Sequence, residues 1–164
     1  MVVVADTSSV SNLIVVQKLD LLHSLFGDVF IPERVFVEIE QLANFGIDMS
    51  VFVNADWIKT KSLEDFSVYD QLTETLDRGE SEAIALSLTY TNSLLLIDER
   101  KGRAIAESYN IRCIGLVGIL ILAKEKGFIG AVKPLLDQLI EEASFFISAK
   151  VYQSALSAAN EVIK

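Results

Sequence analysis

Cysteine and histidine are almost missing from this chain: one of each occurs in 164 residues. No intramolecular disulfide can form, and a Cys/His zinc site lacks its ligands. Cys113, close to Ile111 and Ile114, reads as a small buried thiol. His23, inside the apolar stretch 21–26, gives it no catalytic partner. Long hydrophobic runs are missing too. The longest, residues 114–123, is shorter than the roughly 20 apolar residues of a membrane helix. It contains Gly115 and Gly118 and runs into Lys124-Glu125-Lys126. The N-terminal apolar run has no basic lead-in and stops at Asp6, so it does not read as a signal peptide, and a cytoplasmic location without membrane association is expected. Basic residues are scarce: 14 Lys and Arg against 23 Asp and Glu leave a formal net charge of -9. Phosphate contacts need clustered cations, which excludes nonspecific nucleic-acid binding over the whole surface but not a local basic rim. The same charge suits a basic partner.

Half the residues, 51%, are hydrophobic, enough for a real core in one domain. They are distributed as strands alternating with helices, with no internal repeat. Residues 2–5 read as a fully buried strand, and 11–18 as the helix after it, with Thr7, Ser8 and Ser9 as candidate caps. A helix over 19–26 breaks at Gly27. A strand over 29–31 leads into a helix whose first turn suits Pro32 and which reaches Glu40. Residues 44–56 read as an irregular connection, 57–60 as an edge strand with Trp57 as a packing anchor, and 69–76 as a helix. A strongly apolar face predicts a helix over 80–90. Then come a strand over 94–97, a helix over 99–108, a strand over 111–114, and helices over 116–126 and 132–142. An edge strand over 145–147 and a final helix over 149–162 complete the chain. This order predicts a three-layer α/β/α sandwich with a central, mainly parallel sheet: a single domain, 1–164, with 128–164 a C-terminal helical extension.

Isolated acids punctuate this pattern. Asp6 follows Val2-Val3-Val4-Ala5, and Asp98 follows Leu94-Leu95-Leu96-Ile97, so two buried strands each end in a carboxylate. Ligands of open parallel sheets bind at that edge. Carboxylates gathered there repel one another unless a cation lies among them, and a hard divalent ion is the natural candidate. Glu38, two turns into a helix, and Glu82, in the first turn of another, can converge on the same edge. Glu80 shares that turn and reads as a complement to the helix dipole. A metal-dependent hydrolase is therefore the leading reading.

The segments Val3-Val4-Ala5-Asp6-Thr7-Ser8-Ser9, Leu19-Asp20-Leu21-Leu22, Ile31-Pro32-Glu33-Arg34-Val35 with Glu38, Asp77-Arg78-Gly79-Glu80-Ser81-Glu82-Ala83-Ile84-Ala85-Leu86, and Leu96-Ile97-Asp98-Glu99-Arg100 resemble the PIN-domain family. The similarity is greatest to its small prokaryotic, VapC-like branch, and extends through Gly115-Leu116-Val117-Gly118-Ile119-Leu120. The resemblance implies a Mg2+- or Mn2+-dependent ribonuclease of the toxin–antitoxin kind. RNA is then the substrate, an antitoxin protein a partner, and a homodimer the assembly. Asp6, Glu38, Glu82 and Asp98 become catalytic and metal-binding residues: Asp6 and Asp98 direct ligands, Glu38 and Glu82 holders of outer waters or a second ion. Glu82 or Asp98 would accept the proton of the attacking water. Ser8 and, more weakly, Asn12 become substrate-binding residues. Arg100, Lys101 and Arg103 lie where a helix start could hold a phosphate backbone. The family's further acid after the last Asp has no clear counterpart, since Glu99 follows at once and position 101 is Lys101.

Other readings of an Asp after a first strand fit less well. A haloacid-dehalogenase-type phosphotransferase requires a second Asp where Ser8 stands. A phosphoacceptor receiver requires paired acids after strand one and a late strand-end Lys, whereas Ile114 leads into Gly115. The remaining rival is a noncatalytic PIN-like binding or regulatory module.

Overall fold

The computed structural model describes residues 1–143 and 145–161. Five strands, β1 (Val2–Ala5), β2 (Val29–Pro32), β3 (Ile58–Lys61), β4 (Ser93–Leu96) and β5 (Arg112–Ile114), form one parallel sheet in the order β3-β2-β1-β4-β5. Parallel strands need helical crossovers, which cover both faces and make the inner strands β1, β2 and β4 largely apolar runs, whereas the edge strands β3 and β5 carry exposed Lys and Arg. Successive side chains still point to opposite faces. Val3, Ala5, Ile31 and Leu96 enter one core, and Val4, Leu95 and Ile97 the other.

On the first face lie α1 (Thr7–Val15), α2 (Asp20–Phe26), α3 (Glu33–Glu40) and α8 (Leu116–Glu125). The helices α9 (Lys133–Glu142) and α10 (Ala149–Ala158) send Leu136, Leu139 and Ala155 into that same core. On the second face α5 (Ser67–Leu72), α6 (Arg78–Leu88) and α7 (Arg100–Ser108) supply Leu72, Ile84 and Ala106. A short α4 (Ser50–Val53), preceded by a 3-10 turn over Gln41–Phe45, carries the chain to β3. The left-handed turns that end α2 and follow α8 fall on Gly27 and Gly127, with φ of 72° and 80°, where a Cβ would be strained. None of the described helices is long and apolar enough to cross a membrane.

Several sequence expectations need correction. Residues 44–56 hold the end of the 3-10 turn and all of α4, and residues 145–147 form no strand, so the sheet edges are β3 and β5. Phe145 instead packs into the first core while Phe146 points outward, 88% exposed. The helix after β1 begins at Thr7, and its cap is Asp6 rather than a hydroxyl of Thr7, Ser8 or Ser9. The helix predicted over 80–90 begins at Arg78. The last helix, expected to run to Val162, ends at Ala158, and Val162 itself lies outside the described residues. Cys113 is half-buried rather than buried, and burial pushes its thiol up to about 11, leaving it unreactive. His23 is exposed and stacks on the ring of the buried Trp57.

Ile84 is fully buried where α6 meets the sheet, whereas Val53 is 76% exposed. Ile84→Ala is expected to lower unfolding free energy in urea by about 2–5 kcal/mol. Val53→Ala should change it by less than about 0.5 kcal/mol.

Candidate active site

The strand order reverses between β1 and β4: β2 and β3 lie to one side of β1, β5 to the far side of β4. Connections leave that point in opposite directions and open a crevice at the strands' C-terminal ends. Asp6 and Asp98 emerge from these two strands. Ala5 pairs with Leu96, and the Asp6 backbone N–H donates to the Leu96 carbonyl at 3.0 Å.

Local structure sets each carboxylate. Asp6 caps α1, its Oδ1 accepting the Ser9 N–H at 2.9 Å, while the Ser8 hydroxyl donates at 3.3 Å to Oδ2. Asp98 reaches across β5, where its Oδ1 accepts the Leu116 N–H at the start of α8 at 2.9 Å. Its Oδ2 is buried and has no hydrogen-bond partner. Glu38, on α3, accepts from the Thr7 hydroxyl at 2.6 Å and lies 3.8 Å from the Arg34 Nε. These approaches are close enough to exclude side chains opposite them: a Cβ on Gly79 would collide with the Glu38 carboxylate, and one on Gly115 would lie 2.7 Å from Asp98 Oδ1.

The acid of α6 that lines the central cavity is Glu80 rather than Glu82. Asp77 caps α6 by accepting the Glu80 N–H at 2.8 Å, which puts Glu80 in the first turn and Glu82 in the second. Helical residues two positions apart differ by about 200° around the axis. Glu80 therefore faces a cavity of about 360 Å³ that it shares with Asp6, Thr7, Ser8, Glu38 and Asp77. Glu82 is buried beside Glu33, Arg34 and Glu38 on α3 and is not among the residues that line that cavity. Asp98 opens on a neighbouring groove of about 1040 Å³, together with Ser8, Asn12, Arg100 and Arg103. Ser8 lines both spaces. Lys101 is exposed and lines neither. Glu99 borders the groove, but its Oε2 is held by the Gly102 N–H at 2.9 Å as the cap of α7, so it is occupied structurally.

Burial at this edge raises the acids. Asp6, 1% exposed, is pushed up to about 7 chiefly by desolvation, with the nearby Asp98 charge adding and the serine hydrogen bonds opposing. Glu80 also rises to about 7, through desolvation and the charges of Asp77, Glu99, Asp6 and Glu38. Asp98 is raised by burial, partly offset by the Leu116 N–H and by Arg103. Among the described residues, no three acidic, His or Cys side chains converge on a single point as a ready-made chelate. The carboxylates stand around a cavity instead. Mg2+ takes only one or two carboxylates and retains water, so an all-oxygen edge with one unpartnered buried carboxylate oxygen fits such an ion without a full cage.

A carboxyl raised by folding retains a proton that the unfolded chain releases near pH 4, so metal-free stability falls as pH rises from about 4 to about 7 and then levels. Asn can still cap α1 while removing the charge. In EDTA at pH 8, Asp6→Asn is expected to melt above the wild type, by a margin worth up to a few kcal/mol, with the two curves converging toward pH 4. A variant that melts lower at pH 8 would contradict the burial cost.

A family model described as PIN domain matches residues 2–161. No curated protein sequence matches the chain. Among solved structures, a PilT N-terminus domain protein from the hyperthermophilic archaeon Sulfolobus solfataricus P2 superposes with a TM-score of 0.53 at 17% identity, covering 87% of this chain and 96% of that one. At that identity the likeness speaks for the fold. The matched residues include all five strands and every acid at the crevice. The chain belongs to the PIN domain family, which generally includes metal-dependent nucleases.

Proposed function

We propose that this chain is a Mg2+- or Mn2+-dependent endoribonuclease whose site is Asp6, Asp98, Glu38 and Glu80, the last in place of Glu82. The observation that carries the reading is the buried, unpartnered Oδ2 of Asp98 beside the desolvated Asp6 at the strand-order reversal. Leaving a carboxylate oxygen buried and unpaired is costly, and a cation is the partner that removes the cost.

Asp6 and Asp98 are the residues that would hold the ion. When bound, it supplies positive charge against the phosphate and a water of lowered pKa. Glu80, titrating near neutrality in the metal-free protein, is matched to accepting that water's proton at pH 7. Glu38 is kept pointing inward by Thr7 and Arg34. The Ser8 hydroxyl, between the two spaces, is available to a nonbridging phosphate oxygen. The resemblance to the VapC-like branch supports a toxin-like role, with an antitoxin partner and homodimeric assembly as further parts of the proposal. The competing reading, a noncatalytic binding module, draws on the lack of a preformed chelate among the described residues.

Cleavage of labelled single-stranded RNA separates the two. With Mn2+ the wild type should cleave, and Asp98→Asn and Asp6→Asn should each lose at least about 100-fold, the scale of removing a group that acts in the transition state. Glu80→Gln should lose more activity than Glu82→Gln. Equal activity in Asp98→Asn and the wild type would mark the cleavage as a contaminant's, and a larger loss at Glu82 would return the third role to that residue.

A further inference from the structure

Arginine is rare here, with five in the chain, and four of them border the acidic crevice. Arg100 and Arg103 line the groove that holds Asp98. Arg34 and Arg78 line another, of about 620 Å³, on the opposite side. The three spaces adjoin one another: Ser8 lines the Asp98 groove and the central cavity, and Glu38 and Asp77 line the cavity and the Arg34–Arg78 groove. Two of these cations oppose ordinary helix electrostatics. Arg78 is the first residue of α6 and Arg100 the first of α7, positions where the helix dipole favours an anion. Asp77 and Glu99 already cap these helix ends, so local helix stability gives no reason for the guanidinium groups, whereas a phosphate beside each would pair with it.

Each outer groove also holds an aromatic ring. Phe146, almost wholly exposed, lines the Asp98 groove, and Tyr69, braced edge-on by Phe66, lines the other. Unpaired bases stack on such rings, while the bases of a duplex are already stacked on one another.

We propose that a single nucleic-acid strand lies across the whole track, its backbone clamped by Arg100 and Arg103 on one side of the acidic cavity and by Arg34 and Arg78 on the other, with bases stacked on Phe146 and Tyr69. The proposal rests on the nuclease reading for the strand's scissile phosphate, and it adds a second phosphate-binding side that the basic segment after Asp98 does not reveal. Clamping on both sides holds a phosphate over the centre that would otherwise be repelled by the carboxylates, which reconciles an acidic protein with a polyanionic substrate.

The test is fluorescence anisotropy of labelled oligouridylate, long enough to span both grooves, with Asp98→Asn protein across a salt series. Each phosphate that no longer meets a guanidinium lowers the salt slope by about 0.7 for a single strand. Arg78→Ala alone and Arg100→Ala with Arg103→Ala are each expected to weaken binding by about 3-fold or more and to flatten the slope. Phe146→Ala should weaken it by about 5-fold with the slope unchanged. Metal-dependent hydrolysis of bis(p-nitrophenyl) phosphate by the wild-type protein, a substrate too short to reach either groove, reads the acidic centre apart from the track. Unchanged affinity and slope in either arginine variant would overturn the two-sided track, as would equal affinity for a duplex or full displacement of the oligonucleotide by polyglutamate. Absent hydrolysis of the small ester with intact, two-sided oligonucleotide binding would instead overturn the nuclease reading and leave the track standing.

Discussion

Two aspartates emerge from adjacent parallel strands at the place where the sheet changes direction, and neither is fully neutralised by the protein around it. Asp6 spends one oxygen on capping α1 and Asp98 spends one on the start of α8, so each is tied to a helix the fold requires. What is left is a desolvated charge beside a buried oxygen without a partner. Every other feature of the crevice answers that pair: Ser8 donates to Asp6, Arg103 offsets Asp98, Thr7 and Arg34 hold Glu38, and glycine occurs at positions 79 and 115 where a side chain would strike a carboxylate.

The charge balance gains meaning only from its placement. A net charge of -9 spread over a surface would repel nucleic acid, yet four of the five arginines collect at the two flanks of the acidic cavity. Screening in salt confines such interactions to about 10 Å, so an anion bound at the crevice responds to those flanks far more than to distant acids.

Much of the fold was legible because its inner strands are largely apolar on both faces. A continuous run such as 94–97, short and bounded by turns, suits a strand covered by helices on both sides and is too brief for a buried helix, and two such runs place Asp6 and Asp98 at strand ends without further information. Helix starts were less legible. The apolar face of α6 begins with Ala83, which draws the predicted start toward Glu80, whereas the true start follows the Asp77 cap, two residues earlier. Which of Glu80 and Glu82 faces the cavity is set by the rotation of α6 about its axis, and the position of its start does not reveal it. The aromatic-rich stretch at 145–147 has the composition of a strand, but no strand pairs with it: β5 ends the sheet, and Phe145 turns inward while Phe146 remains outside.

From the sequence alone came the α/β/α class, the parallel sheet, the two strand-end aspartates and the impossibility of disulfide or Cys/His zinc chemistry, because each depends on composition or on periodicity along a few residues. Tertiary structure decided which helical acid faces Asp6, that Glu99 is committed to a cap, and that arginines more than sixty residues apart in the chain flank one crevice. Those outcomes depend on helix rotation and strand order, which bring residues distant in the chain within reach of one another and leave no mark on local sequence.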